Sequence, residues 1–371
     1  MFKRVSVTPD RAAGRVEFTG DAHARVNLIG EHTDYHQGFV LPTLMPQRTI
    51  ARVHLRTDRL VLAHSTIGEA VQPFVLGGES PGLGWLDYVQ GVTAVAARSG
   101  LALQGFSVSI DSDVPVGAGV SSSAALTVAL LRALRGALRL AIDDIEIARL
   151  SQRVETEFVG VPVGIMDQMA FSLGREHEAL FIDTRTLAIE RIPLPSTIEL
   201  IVIDSGIKHQ HAGGGYAARK RESFSAASSL GAAWLRDVPI DQLPRVDALP
   251  AQTAKRARHV ITENQRVLEA VNALRDGDVV RLGELLNASH ASLRDDYEVS
   301  TAEIDTLAAL GQQDPDVYGA RMTGGGFGGA VVMLAQRGRG RAAAARIAGA
   351  YTRLTNLRAS ILMPLETPQA Q

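Results

Sequence analysis

The sequence predicts an α+β protein with two domains. The chain has 371 residues, which is more than one hydrophobic core usually holds. Helical and strand-like segments are mixed without the regular period of a doubly wound sheet, and this favours an α+β arrangement. Pro193 and Pro195 interrupt the chain just before another apolar strand. We therefore expect one domain over residues 1–195 and a second over residues 196–371.

The first domain is predicted to begin with strands and to continue with helices. Alternating, β-branched residues are typical of strands, and they occur at residues 24–29, 49–56 and 105–112. Residues 121–140 and 142–158 have the apolar spacing of helices, and Asp143 or Asp144 can cap the second helix. Strand patterning returns over residues 179–194.

The second domain is predicted to contain a strand, a long helix and a C-terminal α+β unit. The strand covers residues 198–206, and the helix covers residues 253–278 and ends at a glycine-containing turn. The C-terminal unit runs strand, glycine-rich loop, strand, helix and strand, at residues 318–324, 325–329, 330–336, 341–354 and 359–365.

Composition excludes several classes of function. The formal net charge of −2 provides no basic field for nucleic acid or for an anionic membrane. The chain has no cysteine, which excludes disulfides and thiolate metal sites. The most apolar stretch carries Arg132, Arg135 and Arg139, so it is not a membrane span. Since the first ten residues also lack the apolar centre of a secretory signal, we expect a cytoplasmic protein.

A loop rich in glycine and serine, residues 117–123 (the serine loop), precedes the first predicted helix. Gly117 and Gly119 let backbone N–H groups approach a ligand. A helix N-terminus with serine hydroxyls is a natural site for phosphate, and a serine oxygen can also ligate Mg²⁺. The spacing matches neither the Walker nor the Rossmann motif. An ordinary glycine turn with serine caps is the alternative.

A second loop, residues 324–329 (the glycine loop), has five glycines around Phe327. Such a segment loses much backbone entropy on folding, so it indicates close approach by another backbone or by a ligand. Two glycine-rich loops from different halves of the chain predict a nucleotide phosphate bound at the domain interface. The alternative is a flexible hairpin tip.

Two further segments contain candidate polar ligands and a candidate base. Glu31, His32 and Asp34 crowd one turn, and this density of donors and acceptors suits a polyol. A metal site of these three residues, or a solvated Asx-type turn, are the alternatives. Asp167 lies in an apolar run, where an unpaired carboxylate would be costly, so it is a candidate general base or a helix cap. Glu155 lies at the end of a predicted helix.

Together these segments resemble the GHMP small-molecule kinases and, within them, the galactokinase family. The serine loop has the form P-x-G-x-G-x-S-S-S-A and the glycine loop the form G-G-G-x-G-G, as in these kinases. The run RVNLIGEHTDY, residues 25–35, resembles the galactokinase signature. Further similar segments follow in family order at residues 85–92, 164–168, 258–268, 289–300 and 318–329.

The resemblance implies a fold and an activity. The family fold joins an N-terminal domain like ribosomal protein S5 to a C-terminal ferredoxin-like domain. The activity is the phosphorylation of the C1 hydroxyl of galactose by ATP, with Mg²⁺, to give galactose 1-phosphate and ADP. The alternatives are a kinase for arabinose or N-acetylgalactosamine, and a regulator that binds sugar and ATP without catalysis. We expect a monomer that binds neither nucleic acid nor membrane.

The resemblance also implies roles for individual residues. Asp167 should act as the base on the C1 hydroxyl, with Arg25 beside it to favour the ionised carboxylate and to offset charge on the transferred group. Ser123 and Glu155 should hold Mg²⁺. The sugar should be bound by Glu31, His32, Asp34, the Gly164 backbone and Tyr216. The ATP phosphates should be bound by Gly117, Ala118, Gly119, Val120, Ser121, Ser122 and Ser123.

Four positions depart from the family pattern near the expected sugar pocket. His23 and Ala24 replace the usual Pro-Gly before Arg25, and this changed turn should alter how firmly Arg25 is held. His36 replaces an asparagine, and Gly215 precedes Tyr216 where a polar or acidic residue is common. These changes concern the identity of the sugar more than the type of reaction.

Overall fold

A computed structural model describes residues 16–66, 73–207 and 214–363 of the chain. Within these residues, twelve strands form two sheets, which are surrounded by helices. The predicted α+β class is therefore confirmed. Among the residues described, no helix is both long enough and apolar enough to cross a membrane.

The larger sheet contains the strands that precede residue 194. They are β1 (Phe18–Asn27), β2 (Phe39–Val40), β3 (Pro42–Leu55), β4 (Leu60–Ser65), β5 (Phe74–Val75), β6 (Phe106–Ser112), β7 (Glu178–Asp183) and β8 (Ile189–Pro193). Their order is β2-β7-β3-β6-β4-β5, with β1 paired to β3 and β8 paired to β7. Strands β4 and β6 run parallel, and the other pairs are antiparallel.

The smaller sheet contains the strands that follow residue 197. They are β9 (Ile198–Asp204), β10 (Val317–Thr323), β11 (Ala330–Gln336) and β12 (Ser360–Met363). The order is β10-β11-β9-β12, and all neighbours are antiparallel. The glycine loop connects β10 to β11, so both of its ends are fixed by paired strands.

The helices of the described residues cover these sheets. They are α1 (Leu86–Arg98), α2 (Ser122–Leu138), α3 (Asp144–Arg153), α4 (Met166–Leu173), α5 (Gly215–Ser229), α6 (Leu243–Asp247), α7 (Ala251–Asp276), α8 (Val279–Asp295), α9 (Ala302–Gln313) and α10 (Gly340–Thr355). Helix α3 is capped by Asp143, whose carboxylate accepts from the Glu146 amide. It continues as a π-helical segment, Val154–Val159, which the sequence did not predict.

Strand β1 differs from the prediction at its beginning. The expected strand starts at residue 24 after a turn, whereas β1 starts at Phe18 and passes through His23 and Ala24. The pairing of β1 with β3 shifts register between His23 and Arg25. A bulge of this kind redirects a side chain and increases local twist. The changed residues thus lie in a bulged strand and not in a turn.

Helix α7 packs into both hydrophobic cores. Val260 and Ile261 of its N-terminal half belong to the core around the outer face of the smaller sheet. Val267 and Ala270 of its C-terminal half belong to the larger core, which contains residues of both sheets. The buried positions recur at helical spacing, as expected for an amphipathic helix. Helix α7 therefore connects the two halves of the chain.

Candidate active site

A bidentate ion pair joins strand β1 to helix α4. Arg25 lies on β1 and is 3% exposed, and Asp167 lies in the first turn of α4. The Arg25 Nε atom donates to Asp167 Oδ1 at 2.7 Å, and Nη2 donates to Oδ2 at 2.7 Å. Paired bonds of this geometry are among the strongest that a carboxylate makes. The two predicted catalytic residues are therefore in direct contact.

The serine loop is tied to this pair. Arg25 Nη1 donates to the Gly119 carbonyl at 2.8 Å, and Nη2 donates to the Ser121 hydroxyl at 2.7 Å. The Ser121 hydroxyl in turn donates to Asp167 Oδ2. Ser121 adopts a left-handed conformation, with a φ of 59°, and its side chain does not cap helix α2. The serine-cap alternative is therefore wrong for Ser121, because its hydroxyl bonds Arg25 and Asp167 instead.

The backbone of the serine loop is shaped by its glycines. Gly117 and Gly119 have positive φ values of 82° and 76°, which glycine adopts without steric cost. The side chains of Ala118 and Val120 are buried, so these two residues can face a ligand only through their backbone. Helix α2 begins at Ser122, directly after the loop.

The glycine loop packs closely against other parts of the protein. A Cβ on Gly324 would lie 3.0 Å from the Gly119 carbonyl oxygen, so the two glycine-rich loops meet. A Cβ on Gly326 would lie 2.5 Å from the Val299 carbonyl oxygen, and one on Gly325 would lie 3.2 Å from the Tyr216 ring. These approaches to backbone and to the Tyr216 ring account for the three glycines, so the loop joins an antiparallel pair of strands as a packed hairpin connection and not as an open tip.

Glu155 forms a second polar cluster with Ser123 beside the serine loop. The Ser123 hydroxyl donates to Glu155 Oε2 at 3.2 Å, and the Gln168 side-chain amide donates to Oε1 at 2.9 Å. Burial, together with the negative charge of Asp167, raises the pKa of Glu155 to about 7. An oxygen pair of this kind suits Mg²⁺. Glu155 lies in the π-helical segment, and such segments are frequent at functional sites.

Asp34 and Gly164 are in close contact across the site. Asp34 Oδ1 accepts from the Tyr35 amide at 2.9 Å. Burial and the charge of Asp167 raise the pKa of Asp34 to about 6. A Cβ on Gly164 would overlap the Asp34 carboxylate, so only glycine fits there. A cavity of about 520 Å³ borders both residues, but Asp167 is not among the residues that line it.

Glu31 is buried and fully bonded within the protein. Its carboxylate accepts from the Asn27 side-chain amide at 2.8 Å and from the Gly324 amide at 2.9 Å, and it pairs with Arg321 at 2.5 Å. Burial raises the pKa of Glu31 despite the charge of Arg321. Among the described residues, no group of three His, Cys, Asp or Glu side chains could hold a metal ion. The metal-site alternative for Glu31, His32 and Asp34 is therefore wrong.

His32 presents a buried ring nitrogen to the site. Its Nδ1 atom lies 2.9 Å from the Tyr35 hydroxyl, and Tyr35 lies 2.6 Å from the Tyr297 hydroxyl. Burial lowers the pKa of His32 to about 3, so the ring is neutral. Nε2 is buried and has no hydrogen bond of good geometry within the described part of the chain, although the Gly325 backbone interacts with the ring and acts to raise the pKa of His32. The Tyr216 ring centre lies 5.4 Å away. A buried polar atom without a well-formed protein bond needs an explanation, and a hydrogen bond to a ligand is one.

The four departures from the family pattern pack behind this site. His23 Nδ1 lies 3.0 Å from the Met45 carbonyl, and Ala24 is fully buried. His36 Nε2 lies 2.8 Å from the Ser223 hydroxyl. Gly215 packs against the Phe327 ring, because a Cβ on Gly215 would lie 2.8 Å from the Cζ atom of Phe327. Arg25 donates four hydrogen bonds beside these changed residues, and the expected change in how firmly Arg25 is held stays a prediction.

Comparison with known proteins now adds to this geometry. A family model for the GHMP kinase N-terminal domain matches residues 87–175, and one for the C-terminal domain matches residues 270–353. A model described as the galactokinase galactose-binding signature matches residues 10–54. A galactokinase of Roseiflexus sp. is 43% identical over 85% of this chain and 83% of the relative. A galactokinase of Actinobacillus succinogenes is 40% identical over 91% of this chain and 90% of the relative.

The chain belongs to the galactokinase family. Lactococcus lactis galactokinase, solved in complex with galactose, matches with a TM-score of 0.90 and 32% identity over 93% of this chain and 92% of that one. Mevalonate kinase of L. major, at 20% identity and a TM-score of 0.64, shares the fold alone. The predicted two-domain GHMP kinase fold is thus confirmed. The domain limits at residues 195 and 196 stay a prediction.

Sequence reasoning missed several residues of this galactokinase family site. Gln168 follows Asp167 directly, and its place in a buried apolar run was the available signal. Arg321 is a charged residue within the apolar strand β10, and it pairs with Glu31. The link from Ser121 to Asp167 crosses 46 residues of sequence and has no local signal.

Proposed function

We propose that the protein transfers the γ-phosphoryl group of ATP to the C1 hydroxyl of galactose, giving galactose 1-phosphate and ADP. The observation that carries this proposal is the Arg25–Asp167 pair bonded directly to the serine loop. It places a carboxylate beside the loop that is suited to phosphate. The galactokinase names of the relatives and the galactose complex of the Lactococcus lactis enzyme support the choice of sugar.

Asp167 accepts the proton of the C1 hydroxyl in this proposal. Oδ2 already accepts from Arg25 and Ser121, whereas among the residues with a described position Oδ1 accepts from Arg25 alone. Since each carboxylate oxygen can accept two bonds, Oδ1 keeps a free acceptor position. The sugar O–H bond breaks toward Oδ1, a bond forms from the sugar oxygen to the γ-phosphorus, and the bond to the β-phosphate oxygen breaks, leaving ADP. General-base help of this kind contributes about 10²–10⁴ in rate.

The serine loop binds the phosphates of ATP through its backbone amides and its hydroxyls. The positive φ values of Gly117 and Gly119 and the start of helix α2 support this assignment. Arg25 offsets negative charge on the transferred phosphoryl group. One donor of this kind contributes about 3 kcal/mol in comparable sites.

Ser123 and Glu155 would hold Mg²⁺ together with the nucleotide phosphates. Their oxygens are already adjacent, and the Gln168 amide orients the Glu155 carboxylate. When bound, the metal ion neutralises charge on the phosphate oxygens. Because Mg²⁺ needs the ionised carboxylate, its binding releases the proton that Glu155 holds near pH 7.

The sugar lies against His32, Asp34, the Gly164 backbone and Tyr216. Within the described residues, His32 Nε2 is one of several buried polar atoms without a well-formed hydrogen bond, and Asp34 offers carboxylate lone pairs. Glu31 remains a predicted sugar ligand. Its four protein contacts indicate that it also fixes the loop that carries His32 and Asp34.

A coupled assay of ADP release with a panel of sugars tests the proposal. Galactose, arabinose and N-acetylgalactosamine are compared at equal ATP and Mg²⁺, and phosphorus NMR identifies the phosphorylated position. We expect the highest kcat/KM with galactose and a C1 phosphate product. Preference for another sugar would reassign the substrate. Thermal stabilisation by galactose and ATP without ADP release would identify a non-catalytic regulator.

A further inference from the structure

We propose that three side chains of helix α7, His259, Glu263 and Asn264, are positioning residues that set the shape of the Glu31 loop (residues 30–39). The inference rests on the proposed galactose site, because this loop carries His32 and Asp34. The three residues lie in the segment 258–268, which resembles other galactokinases but has no role in the mechanism above. The proposed mechanism gives none of them a direct contact with the sugar or with ATP.

The beginning of the Glu31 loop is held by two of these residues. The Gly30 amide donates to Glu263 Oε1 at 2.9 Å. The Glu31 carbonyl lies 3.1 Å from His259 Nε2. A carbonyl can only accept, so Nε2 of His259 carries the proton. Two successive residues of the loop are therefore bonded to one face of helix α7.

The end of the Glu31 loop is held by the third residue. The Phe39 amide donates to Asn264 Oδ1 at 2.8 Å. Gly38 lies so close that a Cβ there would overlap the same oxygen. The Asn264 amide donates back to the Val260 carbonyl at 3.0 Å, and this bond fixes which way the side chain faces. Helix α7 thus holds both ends of a ten-residue loop.

The bonding groups on α7 are themselves fixed. Burial is the largest single influence on Glu263 and acts to raise its pKa, but Arg266, His259, Arg321 and the Ser289 hydrogen bond together outweigh it and lower the pKa to about 2. Arg266 pairs with Glu263 at 2.8 Å, and the Ser289 hydroxyl donates to Glu263 Oε1 at 2.6 Å. His259 is neutral, because burial lowers its pKa to about 4. The charge and orientation of each acceptor and donor are set before any ligand binds.

The hold on the loop extends to its sugar-facing side. The Tyr297 ring lies between the rings of His259 and His32, with centres 4.5 Å and 4.7 Å away. Helix α7 is buried in both cores, so it is a rigid reference for these contacts. Within the described residues, no hydrogen bond joins His259, Glu263 or Asn264 to the serine loop. Loss of the hold should therefore affect galactose and not ATP.

Steady-state kinetics of the full-length enzyme test the inference. Asn264→Ala removes the acceptor for the Phe39 amide, and we expect about a tenfold rise in galactose KM with ATP KM unchanged within about twofold. Asn264→Asp keeps an acceptor oxygen and should recover part of the loss. Asn272→Ala is the matched control, because Asn272 is an exposed residue of the same helix whose side chain accepts a hydrogen bond from Arg275.

A second pair of variants tests the other end of the loop. Glu263→Gln keeps an oxygen for the Gly30 amide but loses the charge, and it should raise galactose KM by a few fold. Glu269→Gln is its control, since Glu269 is half-buried on the same helix and its carboxylate pairs with Arg281. Circular dichroism checks each fold. If Asn264→Ala does not fold, Asn264→Ser replaces it.

Two results would overturn the inference. One is an unchanged galactose KM in Asn264→Ala or its replacement, and the other is an equal rise in both KM values. Wild-type protein without ADP release would instead contradict the proposed function. In that case, calorimetric titration measures the galactose Kd of wild type and of the same variants, and the inference is tested on Kd in place of KM. If wild type does not bind galactose, both the inference and the proposed function are overturned.

Discussion

Arg25 and Asp167 face each other through two parallel hydrogen bonds of 2.7 Å, although 142 residues separate them in the sequence. The third nitrogen of Arg25, Nη1, donates to the Gly119 carbonyl, and Nη2 also donates to the Ser121 hydroxyl. The carboxylate is therefore held in one orientation by the same loop that is proposed to bind ATP. Its side chain remains 22% exposed, which leaves an approach for a sugar hydroxyl.

Asp167→Asn should lower kcat by about 10²–10⁴, because an amide cannot take up the hydroxyl proton. The fold should survive, since asparagine retains one oxygen to accept from Arg25. ADP release and circular dichroism measure the two effects. Asp111→Asn is a matched control, because Asp111 pairs with Arg52 at the surface, away from the cluster. Turnover near the wild-type value in Asp167→Asn would rule out the base.

The pKa of Glu155 near 7 predicts a pH-dependent need for Mg²⁺. Below pH 7 the carboxyl group holds a proton that the metal must displace, so the apparent affinity for Mg²⁺ should fall about tenfold per pH unit. Activity titrated with Mg²⁺ between pH 5.5 and 8.5 measures this, with ranges chosen around that pKa. Glu155→Gln should lower the apparent affinity for Mg²⁺ at high pH, and this affinity should no longer change with pH. A flat profile in wild type would contradict the assignment.

The Glu155 carboxyl group should make the metal-free protein less stable as the pH rises. The pKa of Glu155 is about 7 in the folded state against 4.5 for the free group, so the folded protein holds the proton more tightly. The resulting stability is present below pH 4.5 and is lost as the pH rises through 7. Glu155→Gln should equal wild type near pH 5 and exceed it at pH 8 by up to about 3 kcal/mol. Urea unfolding at both pH values measures the difference, and identical pH profiles would refute it.

Gly164→Ala should raise galactose KM strongly, by about tenfold or more, with little effect on ATP KM. Its Cβ would overlap the Asp34 carboxylate, so Asp34 must move away. Gly349→Ala on helix α10 is the control, because its Cβ meets nothing closer than 3.5 Å. Kinetics with each substrate varied in turn separate the two KM values. Equal changes in both would place Asp34 outside the sugar site.

Asp34 should also make galactose binding depend on pH. Its pKa of about 6 means that the carboxylate gains a proton as the pH falls below 6, and one acceptor for sugar hydroxyls is then lost. Galactose KM should rise on the acid side of pH 6 in wild type. Asp34→Asn should have a high galactose KM that does not change between pH 5 and 7.5, a range set by that pKa. A parallel pH response in both proteins would show that another group titrates.

The predictable parts of the structure are those with local signals. The helix after the serine loop and the strands β6, β9 and β11 follow from apolar spacing alone, and the structure has them within a few residues. The π-helical segment at Glu155 has no such signal, because a single widened turn depends on packing against α1 and not on the order of residues. The bulge at His23 is set by pairing with β3 and is equally invisible in the sequence.

The site shows the same division. Asp167 could be singled out as a carboxylate within an apolar run, and the resemblance supplied the roles of Arg25 and Glu155. The roles of His259, Glu263 and Asn264 could not be read from the sequence, since their partners lie 225 or more residues away. Their signal was present nonetheless. Three polar residues share the buried face of an amphipathic helix, and each must find a partner there.

The embedding of helix α7 in both cores limits how the protein can move. Rotation of one sheet against the other would pull either Val260 or Val267 out of its packed environment, so the packing of helix α7 opposes a hinge motion at this position. Substrate entry and product release must then depend on displacements of surface segments around a stationary framework. Such an enzyme would crystallise in nearly the same overall shape with and without its substrates.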